Sequence, residues 1–345
     1  MLAERLRELI RARGPITFRD WMEAALYDPA EGYYNRTDLK RWGRGGDYRT
    51  SPERSELFAA TFARYFAKLY DELHRPQRWS IVEGGGGDGS FARGVLRALA
   101  AEFPVVFQAT HYFLYDVSAD ALSRAQGSLI EFQDRVSFGE LPDLNPGIYF
   151  SNELLDAFPV HRLTSEGELY VTLAADNTFA WSVGPLSTPR LAEVIRQHSI
   201  KLAPGQIIDV NLVIDDWLAS VAARLTQGYV ITVDYGTESF AGTLRAFSRH
   251  GFVDDFLAQP GACDITSSVN WTQVKVTGEK HGLQVVEFAW QDKFLLQAGL
   301  LEELERRSKR AATEAEKLAL STEAREMILP GGMASSFQVL VQKRA

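Results

Sequence analysis

Ile81-Val82-Glu83-Gly84-Gly85-Gly86-Gly87-Asp88-Gly89-Ser90 is the stretch on which the fold turns. A short apolar run enters a glycine-rich turn, and a helical pattern carrying Phe91, Val95 and Leu96 follows. Glycine reaches dihedrals closed to other residues and lets a ligand approach the backbone, while the start of the next helix offers free N–H groups. The alternative, a glycine turn that binds nothing, fits less well between a strand and a helix. Because Gly84-x-Gly86-x-x-Gly89 also satisfies the dinucleotide pattern, the glycines alone leave the ligand open.

Working outward, short apolar runs alternate with longer helical segments, the pattern of a parallel sheet with crossover helices. The strand candidates are 80–83, 111–117, 136–138, 148–151 and 229–234. Asp116 closes the second, where a carboxylate can accept from both ribose hydroxyls of an adenosine or start the helix near Ser118. Between Val160 and Leu186 the residues alternate instead, which predicts an inserted antiparallel element over about 160–225. A strand from Leu283 to Phe288 and another from Ser336 to Val341 predict an antiparallel closure of a mixed sheet.

The amino-terminal part, 1–75, reads as a helical segment preceding a 76–345 domain. Leu2, Leu6, Leu9 and Ile10 share one face of a first helix, and Thr17 is placed to cap a second that carries Phe18, Trp21, Met22 and Leu26. Leu57, Phe58, Phe62, Tyr65, Phe66 and Leu69 recur at helical spacing, a stripe expected to pack in the core. The charged segment from Glu302 to Lys317 reads as a solvated helical face.

Beyond the fourth strand candidate stand Asn152-Glu153-Leu154-Leu155-Asp156-Ala157-Phe158-Pro159. Ligands of doubly wound sheets bind past the carboxyl ends of the strands, so Asn152, Glu153 and Asp156 face the same crevice as the glycine loop. A helix cap with a buried aspartate is the competing reading. Glu83, set just before Gly85, Gly87 and Gly89, is the arrangement of many methyltransferases, where a fixed negative charge complements a cationic ligand.

These blocks resemble the MidA-like methyltransferases, whose Asn-Glu-x-x-Asp-Ala-x-Pro motif is matched by Asn152 to Pro159 and which include a mitochondrial complex I assembly factor that dimethylates an arginine. Leu26-Tyr27-Asp28-Pro29, Gly32-Tyr33-Tyr34 and the stretch Gly46 to Glu53 are similar to the family's early blocks. Asp234-Tyr235-Gly236, Gly242-Thr243-Leu244-Arg245 with His250, and Asp264-Ile265-Thr266 are similar to its later ones. The chain departs from the pattern at Ala59, Asn270 and Met333-Ala334.

The resemblance implies an α/β, Rossmann-like core that binds S-adenosylmethionine through Glu83, Gly85, Gly87, Gly89, Asp116, Asp47 and Asn152. It also implies a protein arginine as methyl acceptor. In-line transfer asks the protein to position a nucleophile and manage its proton. Glu153, Asn152 and His250 are then the catalytic candidates, His250 being equally readable as structural. Glu153, Asp156, Tyr235 and Asp264 are candidates for holding substrate, since carboxylates match a guanidinium fork. Tyr33, Tyr34, Tyr48 and Tyr235 can stack on adenine or on a cation, or simply pack. The rival readings are an NAD-dependent oxidoreductase and a non-catalytic assembly factor on a methyltransferase fold.

Composition bounds the partners. The chain has 345 residues, a net charge of −8, 46% hydrophobic and 24% charged residues, and a single cysteine, Cys263. With its basic residues scattered apart from short runs such as Arg306-Arg307-Ser308-Lys309-Arg310, the acidic balance argues against a nucleic-acid footprint, although a local basic patch could still form in three dimensions; one thiol supports neither an internal disulfide nor a thiolate zinc site. The histidines are dispersed, so no metal is expected. No apolar run suits a membrane span, and Glu4 and Glu8 speak against a transit peptide, which leaves a cytoplasmic protein as the expectation. A protein substrate is expected, and a homodimer is compatible with the sequence.

Overall fold

A computed structural model describes residues 1–39, 56–139, 141–144, 146–248, 251–329 and 336–344. They fall into two compact units, each built from separated stretches of chain. One contains the described residues from Glu56 to Leu154, Ala219–Gly236 and the described carboxyl-terminal residues from Lys275; the other contains 1–39, Leu155–Leu218 and the described residues of Thr237–Val274.

The larger unit is organised by a mixed sheet. Its strands are β1 (Trp79–Gly84), β2 (Thr110–Tyr115), β3 (Val136–Phe138), β4 (Gly147–Asn152), β5 (Gly228–Thr237), β6 (Gln284–Trp290) and β7 (Phe337–Arg344). They lie in the order β6-β7-β5-β4-β1-β2-β3. β3, β2, β1, β4 and β5 run parallel, and β7 is antiparallel to both β5 and β6, which is the predicted closure of the sheet. Ile81, Tyr112, Leu114, Phe150, Ile231 and Val339 share a core with the helices Glu56–Glu72 and Ser90–Glu102. Strands covered in this way carry nearly continuous apolar residues, which is why they stand out in the sequence.

The aromatic stripe of Glu56–Glu72 is core. Phe58 and Phe62 meet the ring of Phe91, which stacks on Phe150 at 4.4 Å and 11°. The departure at Ala59 has a physical counterpart: a Cβ on Gly94 would stand 2.6 Å from that of Ala59, so a glycine on the facing helix supplies the close approach.

The charged carboxyl-terminal segment is largely exposed, as expected, with one exception. It forms two helices, Leu300–Arg310 and Glu314–Ile328, and Glu303 is fully buried. Its carboxylate accepts from Arg306 Nε at 3.0 Å and Arg307 Nε at 2.7 Å, and Arg306 also pairs with Glu102. Charge pairs at i, i+3 and i, i+4 have the same spacing on a wet face as on a buried one.

The smaller unit contains the predicted inserted strands, Gly167–Leu173 pairing antiparallel with both His161–Thr164 and Phe179–Gly184. Ile16 and Thr17 join this sheet opposite Val171 and Tyr170. The amino-terminal helices therefore belong to the same unit as the inserted element, so the compact units cut across the boundary expected near residue 75. Thr17 caps Phe18–Tyr27 as predicted, its hydroxyl accepting from Asp20 N at 3.0 Å. Leu2, Leu6, Ile10, Phe18, Trp21 and Met22 contribute to the core of this unit.

Candidate active site

Parallel strands that enter a sheet side by side end on the same edge, and the chemistry of the larger unit collects there. β1 ends in Glu83-Gly84, with Glu83 buried and flanked in register by Leu114 on β2 and Phe150 on β4. The Tyr112 hydroxyl donates to Glu83 Oε2 at 2.7 Å. Burial pushes the Glu83 acid up to about 8; the Tyr112 hydrogen bond opposes this, and the charges of Asp88 and Asp116 add to it.

The loop that follows is held open by its own backbone. Gly85, Gly87 and Gly89 have φ of 69°, 53° and 76°, the left-handed region in which a side chain is strained. Gly85 N donates to Tyr115 O at 2.8 Å, which fastens the loop to the end of β2. Asp116 completes the fastening: Oδ2 accepts from Gly87 N at 3.0 Å and Oδ1 from Ser118 N at 2.8 Å. Ser118, not Asp116, caps the helix Ala119–Ser128, its hydroxyl accepting from Ala121 N, and the Asp116 carboxylate retains the acceptor capacity a ribose would use.

Asn152 ends β4, and Glu153 follows at φ 52° with its N–H donating to Val233 O at 2.9 Å. The Asn152 amide donates to Glu153 Oε1 at 3.0 Å, while Asn152 Oδ1 is buried without a hydrogen-bond partner among the described residues. Leu154 then backs the glycine loop, its Cδ1 lying 3.0 Å from where a Cβ on Gly85 would stand. The second motif is therefore packed against the first.

The structure brings Glu83, Gly85, Gly87, Gly89, Asp116, Asn152 and Glu153 to one edge of one unit. Tyr235 lies farther along β5 and packs edge-on to Phe337 at 5.5 Å. Asp156 and Asp264 belong to the other unit. There Asp156 is buried and its backbone carbonyl accepts from Ser267 N at 2.8 Å, while Asp264 Oδ1 accepts from the Tyr34 hydroxyl at 2.6 Å. Tyr33 is buried and packs edge-on to Tyr34. Asp47, Tyr48, His250 and Met333-Ala334 lie outside the described residues. Asn270 acts as a helix start, its Oδ1 accepting from Gln273 N at 3.0 Å.

Sequence reasoning missed Tyr112 and the contact role of Leu154. A tyrosine inside an apolar strand gives no signal of its hydroxyl partner, and Leu154 reads as an ordinary core leucine.

A buried acid and a glycine cradle that a Cβ would fill suit a ligand with a nucleoside and a positive charge. Glu83, Asp88 and Asp116 around the loop are unfavourable company for a pyrophosphate.

The comparisons decide the matter. Residues 61–289 match the family described as S-adenosyl-L-methionine-dependent methyltransferase, about two thirds of the chain. The chain belongs to this family. It is similar to a superfamily member from Burkholderia thailandensis solved with S-adenosyl-homocysteine bound: TM-score 0.88 and 28% identity, covering 99% of this chain and 92% of that one. It is 27% identical over 317 residues to the protein arginine methyltransferase NDUFAF7 homolog, mitochondrial, of Drosophila melanogaster, covering 81% of this chain and 70% of the relative. The Caenorhabditis elegans counterpart is 29% identical over 341 residues, covering 87% and 77%.

The protein is an α/β methyltransferase whose cofactor is S-adenosylmethionine, as the sequence motifs implied. The oxidoreductase reading falls away. Glu83, the glycine cradle and Asp116 are the residues that would hold the cofactor, which supplies an electrophilic methyl group when bound.

Proposed function

We propose that this methyltransferase modifies an arginine side chain of a protein. The observation that carries the reading is the pair Asn152 and Glu153: an unpartnered amide oxygen and a carboxylate project from consecutive residues at the strand edge that carries the cofactor loop. A guanidinium is a planar fork of donors and is matched by such acceptors. Glu153 orients the fork, and Asn152 Oδ1 accepts from the nitrogen that is to be methylated. Asn152 in turn holds the Glu153 carboxylate through its Nδ2, so the two act as one receptor. The names of the fly and nematode relatives support the same substrate class.

The test is transfer of tritiated methyl from S-adenosylmethionine to an extract of cells lacking this protein, followed by acid hydrolysis and separation of methylated amino acids. Label in methylarginine that disappears with Glu153→Gln supports the proposal, and label in any other residue overturns it. Saturable cofactor binding with no label transfer would instead favour the assembly-factor reading. A cytoplasmic location belongs to the proposal as well, although the named relatives are mitochondrial; fractionation against cytosolic and organelle markers decides it.

A further inference from the structure

The end of β1 presents a problem in charge. Glu83 is enclosed by β2 and β4, and no lysine, arginine or histidine among the described residues pairs with it. The groups that face it are the Tyr112 hydroxyl from β2, Asp88 from the glycine loop and Asp116 beyond β2; its register neighbours Leu114 and Phe150 are apolar. A carboxylate so placed has one hydrogen bond and two like charges for company. Burying an ion without a counter-charge is costly, so the group either keeps its proton or acquires a cationic ligand.

The two forms of the cofactor differ in this respect. S-adenosylmethionine carries a positive sulfonium, whereas S-adenosylhomocysteine carries a neutral thioether on an otherwise identical adenosine and amino acid. We propose that Glu83, positioned by Tyr112, is a charge sensor that binds the sulfonium cofactor with release of the carboxyl proton and lets the thioether product go as that proton returns. The inference rests on the S-adenosylmethionine site described above and is independent of the acceptor.

The protons balance. Cofactor binding places one proton from Glu83 in solvent; methyl transfer breaks the S–CH3 bond, forms N–CH3 and releases one proton from the acceptor nitrogen; Glu83 then recovers one from solvent. The cycle releases one proton net, as transfer to a protonated guanidinium requires. Burial, which pushes the free acid up to about 8, sets the range in which the exchange operates. Below that value binding of the cation is proton-linked, and the preference for sulfonium over thioether rises by up to about tenfold per pH unit. Tyr112 is a positioning residue: burial first, then the Glu83 charge, hold its own phenol well above the ordinary range, so it stays a donor throughout.

The experiment is calorimetric titration of the full-length protein with S-adenosylmethionine and, separately, S-adenosylhomocysteine near pH 7. Each is run in phosphate, HEPES and Tris, whose ionisation heats differ. The slope of the observed heat against buffer heat counts protons. The expected result is release of close to one proton with the sulfonium cofactor and none with the thioether. Glu83→Gln should abolish the difference in proton release between the two ligands, and Tyr112→Phe should move the pH profile of the preference upward. Equal proton release for both ligands in the wild-type protein overturns the sensor and leaves the cofactor site standing. Binding of neither ligand overturns the site itself, and with it the sensor. The wild-type titrations decide without help from the variants.

Discussion

Replacing Glu153 by glycine and by alanine separates strain from chemistry at one position. The native residue has φ 52°, held there by its N–H donating to Val233 O at 2.9 Å. An L-residue in this region costs about 1–2 kcal/mol, a cost that alanine retains and glycine does not. Glycine gives back about 0.5–1 kcal/mol through the greater freedom of the unfolded chain. Glu153→Gly should therefore be more stable than Glu153→Ala by about 0.5–1 kcal/mol, the reverse of the usual order in regular structure. Both variants lack the carboxylate, and a charge-assisted hydrogen bond of about 1.5–3 kcal/mol corresponds to a loss of roughly tenfold to a hundredfold in kcat/KM. Urea unfolding of both variants and single-turnover methyl transfer at saturating cofactor make the measurement. Alanine as stable as glycine would refute the strain, and kcat/KM within twofold of wild type would refute the substrate contact.

Gly94→Ala should destabilise the protein by about 1–3 kcal/mol through overpacking against Ala59, and the double variant with Ala59→Gly should recover most of the loss in a urea-melt cycle. Asn270→Asp should change stability by less than about 1 kcal/mol with unaltered methyl transfer, since either residue starts a helix. Glu303→Gln should weaken the fold at neutral pH and flatten its acid limb. Burial pushes Glu303 up, but the Arg306 and Arg307 hydrogen bonds outweigh it and leave its acid below 4.5, so its stabilisation exists above that value and is lost as pH falls through the depressed one. Glu102, pushed up by burial and by the Glu303 charge, works in the opposite direction, which makes the difference between wild type and Glu303→Gln the quantity to follow in acid titrations of urea melts.

The larger unit was legible because its signals are local. Glu83 to Gly89 announces a strand, a turn and a helix within one window, and the buried strands carry apolar runs that no surface segment would. Asn152 and Glu153 could be placed because a parallel sheet aligns its carboxyl ends wherever the strands fall in sequence. What escaped notice depends on partners far away along the chain. Ile16 pairs with Val171, Tyr112 with Glu83 and Gly94 with Ala59, and none of these contacts alters the local pattern around either member. The buried Glu303 failed for a related reason, since the helical spacing that predicts its arginine partners is silent about water.

The acidic edge has a rationale in the reaction itself. With the proposed arginine acceptor, methyl transfer would bring a sulfonium and a second cation into van der Waals contact, and two unit charges about 4 Å apart repel by about 4 kcal/mol at an effective dielectric of 20. A glycine cradle and backbone N–H groups do nothing to relieve that repulsion, being uncharged or positive at their tips. Carboxylates do, and they serve best when distributed, because one carboxylate satisfied by the cofactor cannot also neutralise the acceptor. Glu83 stands at the end of β1 and Glu153 one residue past β4, on adjacent parallel strands and thus beside one another on the same edge. Their separation into a buried acid with a tyrosine donor and a strained one tied to an amide would let each meet its own cation in the proposed reaction. Asn152 fits the same division: its Nδ2 holds the Glu153 carboxylate, and its own Oδ1 has a hydrogen bond still to accept, as the proposed acceptor would require.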